Sequence, residues 1–477
     1  MHRVNFKDTA AYFIITFNLV VFFYFAALNT IYILLYTAAF FEARRYIRRR
    51  DIVDMKEIFR SPLTPSISVL MPAYNEDVSI AESVKSVLML HYPRFEVVVI
   101  NDGSTDGTLD VLTEKYQLER ITTVVDSKVP SEPVRGVYFS YEYDNLVVVD
   151  KENGGKADAL NAGLNASRND LICVIDADSI IEPDALLKVA RPFIENPEDT
   201  IAAGGIIRLV NGCKVVSGNV TEVALPHGYW ANTQIVEYLR AFLGGRMGWS
   251  ALHSLLIISG AFGLFDRRVV LDVGGYRGDM VGEDMELVVR MHRHMREQKR
   301  KYRMYFVPDP VCWTEAPEKF SQLSRQRDRW QRGLMQSMAA HIRMLFNPRY
   351  GVIGLFGMPY FFFFEMIGPM VELLGYVAVV LALALGYVNF QFFFLFIALA
   401  ILYGVVVSLT AVYLEGLAFR RYPKVTSLLK LGLYSFLDNL GYRQINSYWR
   451  TKAYFTYFTR KRKWGKMDRM GYGEAGP

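Results

Sequence analysis

The chain has 477 residues, of which 52% are hydrophobic and 21% are charged. This composition is too apolar for an ordinary soluble protein, yet the charged fraction requires a large part in contact with water. The net charge of +6 is concentrated beside the apolar segments, which suits an anionic membrane surface and argues against a nucleic-acid partner. The cysteines Cys173, Cys213 and Cys312 have no metal-ligand spacing and fit a reduced cytosol.

The first predicted element is a long apolar helix near the N-terminus. No charged residue occurs from Thr9 to Phe41, a stretch longer than the roughly 20 residues that cross a bilayer. It is too long, and the segment before it too nearly neutral, for a cleaved secretory signal. We therefore predict a retained membrane span, whose basic flank Arg44 to Arg50 lies in the cytoplasm.

A second apolar zone runs from about Tyr360 to Leu414 and is long enough for two spans joined by a turn at Gly386 to Asn389. Basic residues follow it at 420, 421 and 424 and recur at 460–463. Three spans then leave the central region and the C-terminus in the cytoplasm. Charges interrupt the apolar pattern from Val425 to Tyr448, which favours an amphipathic helix at the membrane surface over a fourth span.

The water-facing part, roughly Thr64 to Pro348, begins with apolar runs that alternate with helical patterns. Strands are predicted at Ile67–Met71, Phe95–Ile100, Leu146–Asp150 and Leu171–Ile175, and helices at Ile80–Leu90, Thr108–Tyr116 and Lys156–Leu164. This alternation predicts a parallel α/β sheet, in which ligands bind beyond the carboxyl ends of the strands.

Three polar clusters follow the predicted strands, at Pro72–Glu76, Asn101–Thr108 and Asp176–Asp178. The second cluster is equally typical of a strand-to-helix turn in which Thr105 or Asp106 caps the helix. The two aspartates of the third cluster are spaced to share a divalent cation, which a diphosphate substrate needs, although they are also suited to capping the next helix.

Two acidic residues, Glu283 and Asp284, precede a helical pattern and are either partners of the helix dipole or part of a catalytic site. A sugar hydroxyl is a poor nucleophile until a base removes its proton, and we predict Asp284 as that base. His292 and His294, which lie in the same helical pattern, are predicted to occupy a solvated face because i and i+2 do not face each other.

The motif Gln326, Arg329 and Trp330 combines an amide, a fixed cation and a broad ring on one predicted helix. It suits a phosphate together with a stacked pyranose, and the alternative is surface packing on an interfacial helix.

With these motifs in order from Ile67 to Tyr457, the chain resembles the inverting, membrane-integrated family 2 glycosyltransferases that include cellulose, hyaluronan, chitin and poly-N-acetylglucosamine synthases. The resemblance implies an α/β GT-A (Rossmann-like) fold, inserted between transmembrane and interfacial helices. The tail Arg462 to Arg469 weakly resembles the short Trp-Gly tail of hyaluronan synthases.

The resemblance also assigns roles to residues. It implies nucleotide binding by Ala73, Tyr74, Glu76, Asp102, Lys156 and Asp176; a Mg²⁺ or Mn²⁺ ligand at Asp178; general-base catalysis by Asp284; and acceptor and diphosphate binding by Gly260, Glu283, Gln326, Arg329 and Trp330.

The activity implied is transfer from a UDP-sugar, UDP-N-acetylglucosamine or UDP-glucose, to a growing β-linked polysaccharide at the inner membrane face, with membrane lipids and export partners around it. The alternatives are transfer of a single sugar to a lipid acceptor, and an inactive membrane scaffold or receptor. The corresponding domains are 1–50 (first span), 64–317 (cytoplasmic GT-A domain), 318–358 (interfacial helices), 359–419 (two spans) and 420–477 (amphipathic helix and basic tail).

Overall fold

The computed structural model describes residues 6–50, 61, 64–123, 125–216, 218–386, 402–419, 421–422 and 424–459, with a few positions between 390 and 398. The predicted turn after Gly386, much of the predicted third span and the basic tail from 460 lie outside the described residues.

The strands of the described residues are β1 Ile67–Ala73, β2 Phe95–Asp102, β3 Leu118–Ile121, β4 Val134–Ser140, β5 Leu146–Lys151, β6 Leu171–Ile175, β7 Ile180–Ile181, β8 Thr200–Leu209, β9 Lys214–Val216, β10 Asn219–Glu222, β11 Phe262–Asp266 and β12 Arg303–Thr314. Ten of them form one sheet, in the order β3-β4-β5-β2-β1-β6-β11-β8-β12-β7, and β9 and β10 form a separate two-stranded sheet. The four predicted strands are the adjacent, parallel strands β5, β2, β1 and β6. Their carboxyl ends therefore meet at one edge of the sheet.

The four strands predicted from the sequence are parallel, but the complete sheet is mixed, because it contains further strands that run antiparallel. Strand β4 runs antiparallel to β5, and β11 runs antiparallel to both of its neighbours, β6 and β8. A buried apolar run has the same sequence pattern whichever way its neighbours run, so periodicity does not encode strand direction.

Some helices cover the sheet. The helix near the N-terminus and the helices from Met358 onward are called the membrane-side helices below, because the sequence predicts that these segments lie at a membrane. They are α1 Phe6–Arg50, α2 Ile80–Leu88, α3 Thr108–Tyr116, α4 Lys156–Ala166, α5 Ala185–Glu195, α6 Tyr229–Leu239, α7 Met247–Ala251, α8 Arg267–Asp272, α9 Glu283–Glu297, α10 Phe320–Ala340, α11 Met358–Tyr360, α12 Gly368–Ala384, α13 Tyr403–Leu414, α14 Val425–Leu437 and α15 Arg443–Thr459. Helix α4 packs on β1 and β2, and α5 packs on β8 and β12. Helix α4 therefore packs against the two strands that end at the first two polar clusters.

One helix in the described part of the chain is long and apolar enough to cross a membrane, at Thr16–Arg48 within α1. A second candidate is the pair Ile353–Met366 and Gly368–Ala384, which is bent by 42° at its break. Helix α13 has 12 residues, and most of the apolar residues before it are not described.

The single amphipathic helix predicted from Val425 to Tyr448 is wrong in detail. The segment forms two helices, α14 and α15, separated where Leu440 and Gly441 leave helical geometry. Gly441 has φ 138°, a conformation that a residue with a side chain rarely adopts, so the break is fixed by sequence. Helix α15 then packs on α10, where Leu323, Tyr442 and Trp449 form a small core.

Two buried ion pairs connect separate parts of the fold, and one of them joins the sheet to the membrane-side helices. The guanidinium of Arg208 on β8 lies 2.5 Å from the carboxylate of Glu415, and both side chains are at most 2% exposed. Arg327 on α10 pairs with Glu237 at 2.5 Å and donates to the Tyr442 hydroxyl at 2.8 Å. Loss of one partner of such a pair leaves a buried charge without its counter-charge, which is unfavourable. The pairs therefore fix the position of the membrane-side helices relative to the rest of the fold.

Candidate active site

A cavity of about 2030 Å³ lies at the carboxyl edge of the parallel strands. All thirteen predicted site residues line it: Ala73, Tyr74, Glu76, Asp102, Lys156, Asp176, Asp178, Gly260, Glu283, Asp284, Gln326, Arg329 and Trp330. The structure therefore brings together residues that are spread along the chain from Ala73 to Trp330. Their individual roles remain predictions.

The loop after β1 is locked to the loop after β2. The side-chain oxygen of Asn75, a residue with φ 56°, accepts from the Thr105 backbone N–H at 2.8 Å. The backbone N–H of Glu76 donates to Thr108 Oγ1 at 2.9 Å. The N-cap of the following helix is Gly107, and neither Thr105 nor Asp106, although Asp106 accepts from the Thr108 backbone N–H at 3.0 Å within this turn. These bonds leave the ring of Tyr74, 49% exposed, directed at solvent and cavity.

Asp102 is buried and its carboxylate is fully engaged by the protein. Its oxygens accept from Lys151 Nζ at 2.7 Å and from the backbone N–H groups of Gly154 and Gly155 at 3.0 and 2.8 Å. Burial raises its pKa, against the lowering effect of Lys151 and the two N–H groups. Asp102 thus holds the 153–155 loop, from which α4 begins.

Lys156, the first residue of α4, reaches into the carboxylate cluster. Its ammonium pairs with Asp176, lies 3.9 Å from Glu283 and donates to the Gly260 carbonyl at 3.3 Å. Burial would lower the pKa of Lys156, but the carboxylates of Asp176, Glu283 and Asp284 outweigh it and raise the pKa. The residue is therefore a fixed positive charge within the cavity.

Asp176 and Asp178 follow β6 directly and line the same cavity. Among the described residues, no group of three or more His, Cys, Asp or Glu side chains forms a metal site. Carboxylate oxygens are nevertheless the donors that Mg²⁺ and Mn²⁺ prefer, and such ions commonly complete their coordination with substrate phosphates and water. The pair fits a metal that is held together with a diphosphate.

The acids Glu283 and Asp284 begin α9. The Asp284 carboxylate accepts from the backbone N–H groups of Gly260 at 3.0 Å and Met285 at 2.8 Å, while the residue stays half-buried in the cavity wall. Glu283 is buried, and burial raises its pKa from 4.5 to about 7 despite the nearby Lys156 ammonium. The two neighbours therefore have different environments, with only Asp284 held by two N–H donors.

The raised pKa of Glu283 predicts a pH-dependent stability. Between about 4.5 and about 7 the unfolded chain ionises this group while the folded protein keeps it protonated, so its stabilising contribution falls as pH rises through that window. We expect the melting temperature of the wild-type protein, measured relative to Glu283→Gln in the same detergent, to fall across this range. A difference that does not change with pH would contradict the assignment.

The Gln-Arg-Trp motif lies on α10, whose neighbouring residues support it. Gln326, Arg329 and Trp330 line the cavity, as do Arg327 and Gln331, which are only 1% exposed and bond to other helices. The Arg327 guanidinium lies 4.2 Å from the Trp330 ring centroid, a cation–π contact that orients a ring which is 43% exposed. The motif is thus a supported wall of the cavity rather than surface packing.

Helix α10 touches the loop before α9 with no side chain between them. A Cβ on Gly333 would lie 2.9 Å from Gly282 Cα, and the side chain of Gln336 accepts from the Val281 backbone N–H at 2.7 Å. Because Gly282 immediately precedes Glu283 and Asp284, this contact sets the distance between the acids and the motif.

The cavity continues between the membrane-side helices. Tyr24, Tyr32 and Tyr36 of α1 line it, as do Glu372 and Arg443, which form an ion pair of 2.7 Å. The walls of this part of the cavity consist of aromatic and polar side chains, and the charges of Glu372 and Arg443 are paired with each other.

Two residues of the cavity wall were not predicted from the sequence. Arg246 and Tyr238 line the cavity from a helix that carried no recognised motif. A lone arginine in the apolar run 241–261 was the available signal.

The predicted solvated face at His292 is wrong, because this side chain is buried. Its ring nitrogens are bonded to Tyr302 and to the Leu255 carbonyl at 2.8 and 2.9 Å. It is a core histidine, with a pKa lowered by burial to about 4.

A mixed α/β sheet with carboxylates and a lysine at its strand ends is the arrangement of a GT-A glycosyltransferase. The chain belongs to the glycosyltransferase-like family 2, whose model matches residues 65–333, and a chitin synthase model matches residues 279–470. The family resemblance inferred from the motifs, and the fold that it implied, are confirmed.

Curated relatives match over part of their length. The chain is 29% identical over 316 residues to the probable glycosyltransferase YdaM of Bacillus subtilis, covering 65% of this chain and 63% of that protein. It is 27% identical over 293 residues to the poly-beta-1,6-N-acetyl-D-glucosamine synthase of Staphylococcus aureus, covering 61% and 58% respectively. The match thus spans about three fifths of each relative.

Among solved structures, the chain is similar in fold to the mannosyltransferase PcManGT from Pyrobaculum calidifontis, solved in complex with GDP-Man and Mn²⁺. The TM-score is 0.50 at 21% identity, over 87% of this chain and 99% of that one. This likeness concerns the fold.

Proposed function

We propose that this protein is an inverting, metal-dependent glycosyltransferase that builds a β-linked polysaccharide from UDP-N-acetylglucosamine or UDP-glucose at a membrane. The observation that carries the proposal is one continuous cavity, which holds Lys156, Asp178, Asp284 and Trp330 and continues between the membrane-side helices. The similarity to a poly-beta-1,6-N-acetyl-D-glucosamine synthase agrees with a polymer product.

In the proposed mechanism the acceptor hydroxyl attacks C1 of the donor sugar as the bond from C1 to the UDP oxygen breaks. Asp284, fixed by the Gly260 and Met285 N–H groups, takes the hydroxyl proton. Lys156 supplies a fixed positive charge beside the leaving diphosphate. A Mg²⁺ or Mn²⁺ ion held by Asp178 beside Asp176 would neutralise the same charge. Inversion at C1 converts an α-linked donor into a β-linked product.

The remaining roles follow the sequence predictions. Tyr74 lies against the base and Glu76 reaches the ribose, with Ala73 and Asp102 forming the rest of that wall. Arg329 and Gln326 bind the diphosphate side, and Trp330 lies under the acceptor sugar near Gly260.

We also propose a multi-pass inner-membrane topology with a cytoplasmic catalytic domain. Helix α1, the bent pair ending in α12, and α13 with the apolar residues before it would be the three spans, and the domain division 1–50, 64–317, 318–358, 359–419 and 420–477 is part of this proposal. Exposed apolar residues along α14, at Val425, Leu429 and Leu433, fit contact with membrane lipids. The growing polysaccharide would leave through the membrane-side cavity, towards any export partners.

The test is transfer by the purified protein in liposomes, with Mn²⁺ or Mg²⁺ and each labelled UDP-sugar. We expect a long polymer from one donor, lost on addition of EDTA and restored by excess Mn²⁺, and Asp178→Asn should require a higher Mn²⁺ concentration. If the product is a lipid that carries one sugar, the protein transfers a single sugar to a lipid acceptor and does not synthesise a polymer. Absence of transfer from every donor would contradict the proposal and favour the scaffold alternative.

A further inference from the structure

One wall of the cavity is a helix with an unusual middle section. It begins as α6, becomes π-helical at Arg240–Arg246 and ends as α7. Turns of π-helix are rare and occur often at functional sites. Gly244 and Gly248 let this helix press against α1, since a Cβ on Gly248 would lie 2.6 Å from the Leu35 carbonyl oxygen. The wall is therefore fixed in position.

Arg246, the last residue of the π-helical section, lines the cavity and is half-buried. Its guanidinium stacks over the Phe242 ring, 3.9 Å from the centroid. Within the part of the chain that the structure describes, Arg246 has no hydrogen bond or ion pair. By contrast, Arg240 on the same helix pairs with Asp438, and Arg443 pairs with Glu372.

A guanidinium carries five N–H donors, and no nitrogen of Arg246 is sealed from the cavity, so these donors are open to a molecule that occupies it. Partial burial lowers the pKa of Arg246 to about 10, although the Asp284 carboxylate partly offsets this effect. Arg246 is therefore within electrostatic range of the proposed base while its donors point to no protein acceptor among the described residues. A ligand in the cavity is the natural source of the missing acceptor atoms.

The position of Arg246 indicates which ligand. Tyr238, two helical turns earlier on the same cavity wall, has its ring 6.4 Å from the ring of Trp330. Trp249, one turn after Arg246, contacts Tyr360 of the membrane-side region at 4.9 Å. Arg246 thus lies on the wall between the motif tryptophan and the membrane-side cavity. The Asp284 carboxylate is in electrostatic range of both Arg246 and Lys156, and Lys156 itself pairs with Asp176 at the strand ends.

We propose that Arg246 binds the acceptor, donating hydrogen bonds to hydroxyl or acyl oxygens of its terminal sugars and so directing the reacting hydroxyl towards Asp284. This inference rests on the proposed function. Stacking on Phe242 holds the guanidinium plane, and the N–H edge supplies the donors that a pyranose with several oxygens satisfies.

The test compares Arg246→Met, which keeps the packing on Phe242 but removes the donors, with Arg246→Lys. We measure the KM for short β-linked oligomers of glucose and of N-acetylglucosamine, the KM for the UDP-sugar, and UDP binding by calorimetry. For Arg246→Met the acceptor KM should rise about tenfold or more, with donor KM and UDP affinity unchanged. Arg293→Met is the matched control, since Arg293 pairs with Glu297 on α9.

A rise in donor KM or a loss of UDP affinity in both variants, with acceptor KM unchanged, would overturn the proposal and place Arg246 on the donor side. Retained UDP binding shows that a variant is folded. If Arg246→Met no longer binds UDP, the acceptor KM and the donor KM of Arg246→Lys decide between the two placements instead. Failure of the wild-type protein to transfer sugar contradicts the proposed function, whereas wild-type transfer with an unchanged acceptor KM in the variants contradicts this inference alone.

Discussion

Replacing Asp284 by Asn is expected to lower the rate of sugar transfer about 10³-fold, because the amide cannot take the proton of the acceptor hydroxyl. The substitution is isosteric and leaves the Lys156 and Asp176 cluster in place, so the KM for the UDP-sugar should change little. The measurement is initial-rate transfer at saturating donor, with UDP binding measured in parallel.

The competing interpretation is that Asp284 is only a first-turn partner of the α9 dipole. Asp110 is a suitable control, since it is an exposed acidic residue in the first turn of another helix, α3. Asp110→Asn should leave transfer unchanged. Retention of more than about a tenth of the wild-type rate by Asp284→Asn would exclude general-base catalysis by this residue.

Substitution of Gly333 should produce the second-largest loss, graded with side-chain size. A Cβ at this position meets Gly282 backbone at 2.9 Å, so α10 and the loop that carries Asp284 must move apart. Displacement of catalytic groups by about 1 Å can cost about 10²-fold in rate. We expect roughly a tenfold loss for Gly333→Ala and about a hundredfold loss for Gly333→Val, measured as kcat.

The control for this prediction is Gly432→Ala in α14, where a Cβ would make only ordinary contact with Leu409, at 3.8 Å. Alanine favours a helix interior by about 1 kcal/mol over glycine, so both alanine variants gain in helix propensity. Full activity in Gly333→Ala, or equal losses in the two alanine variants, would show that the glycine contact does not align the site.

The sequence predicted the strand-end part of the site well, for a definite reason. Buried parallel strands give continuous apolar runs, and the polar residues that end them must meet at one sheet edge, which placed Asp102 and Asp176 correctly. The GT-A class and the family were predictable because four ordered motifs agree. Helix bounds were also close, since Thr108–Tyr116 was predicted without error.

What the sequence did not reveal depends on contacts between distant segments. The direction of β11, the burial of His292 between Tyr302 and Leu255, and the position of Arg246 are set by packing that no local pattern records. Asp102 is an example within the site. Its position at the carboxyl edge of the sheet was predictable, but the four protein groups that donate hydrogen bonds to its carboxylate were not. The sequence has a glycine at position 441, but the residue pattern on either side did not reveal that one helix ends and another begins there.

The buried pair of Arg208 and Glu415 bears on how such a protein can change over evolutionary time. Arg208 belongs to the catalytic sheet and Glu415 to the membrane-side helices, yet neither charge is tolerable inside the protein without the other. Removing one partner of a buried pair costs about 3–5 kcal/mol, a large share of the roughly 5–15 kcal/mol that stabilises a folded domain. A substitution at one of these two positions is therefore expected to persist only when the other position changes with it. The sheet and the helical segment that follows α13 must vary together at this contact.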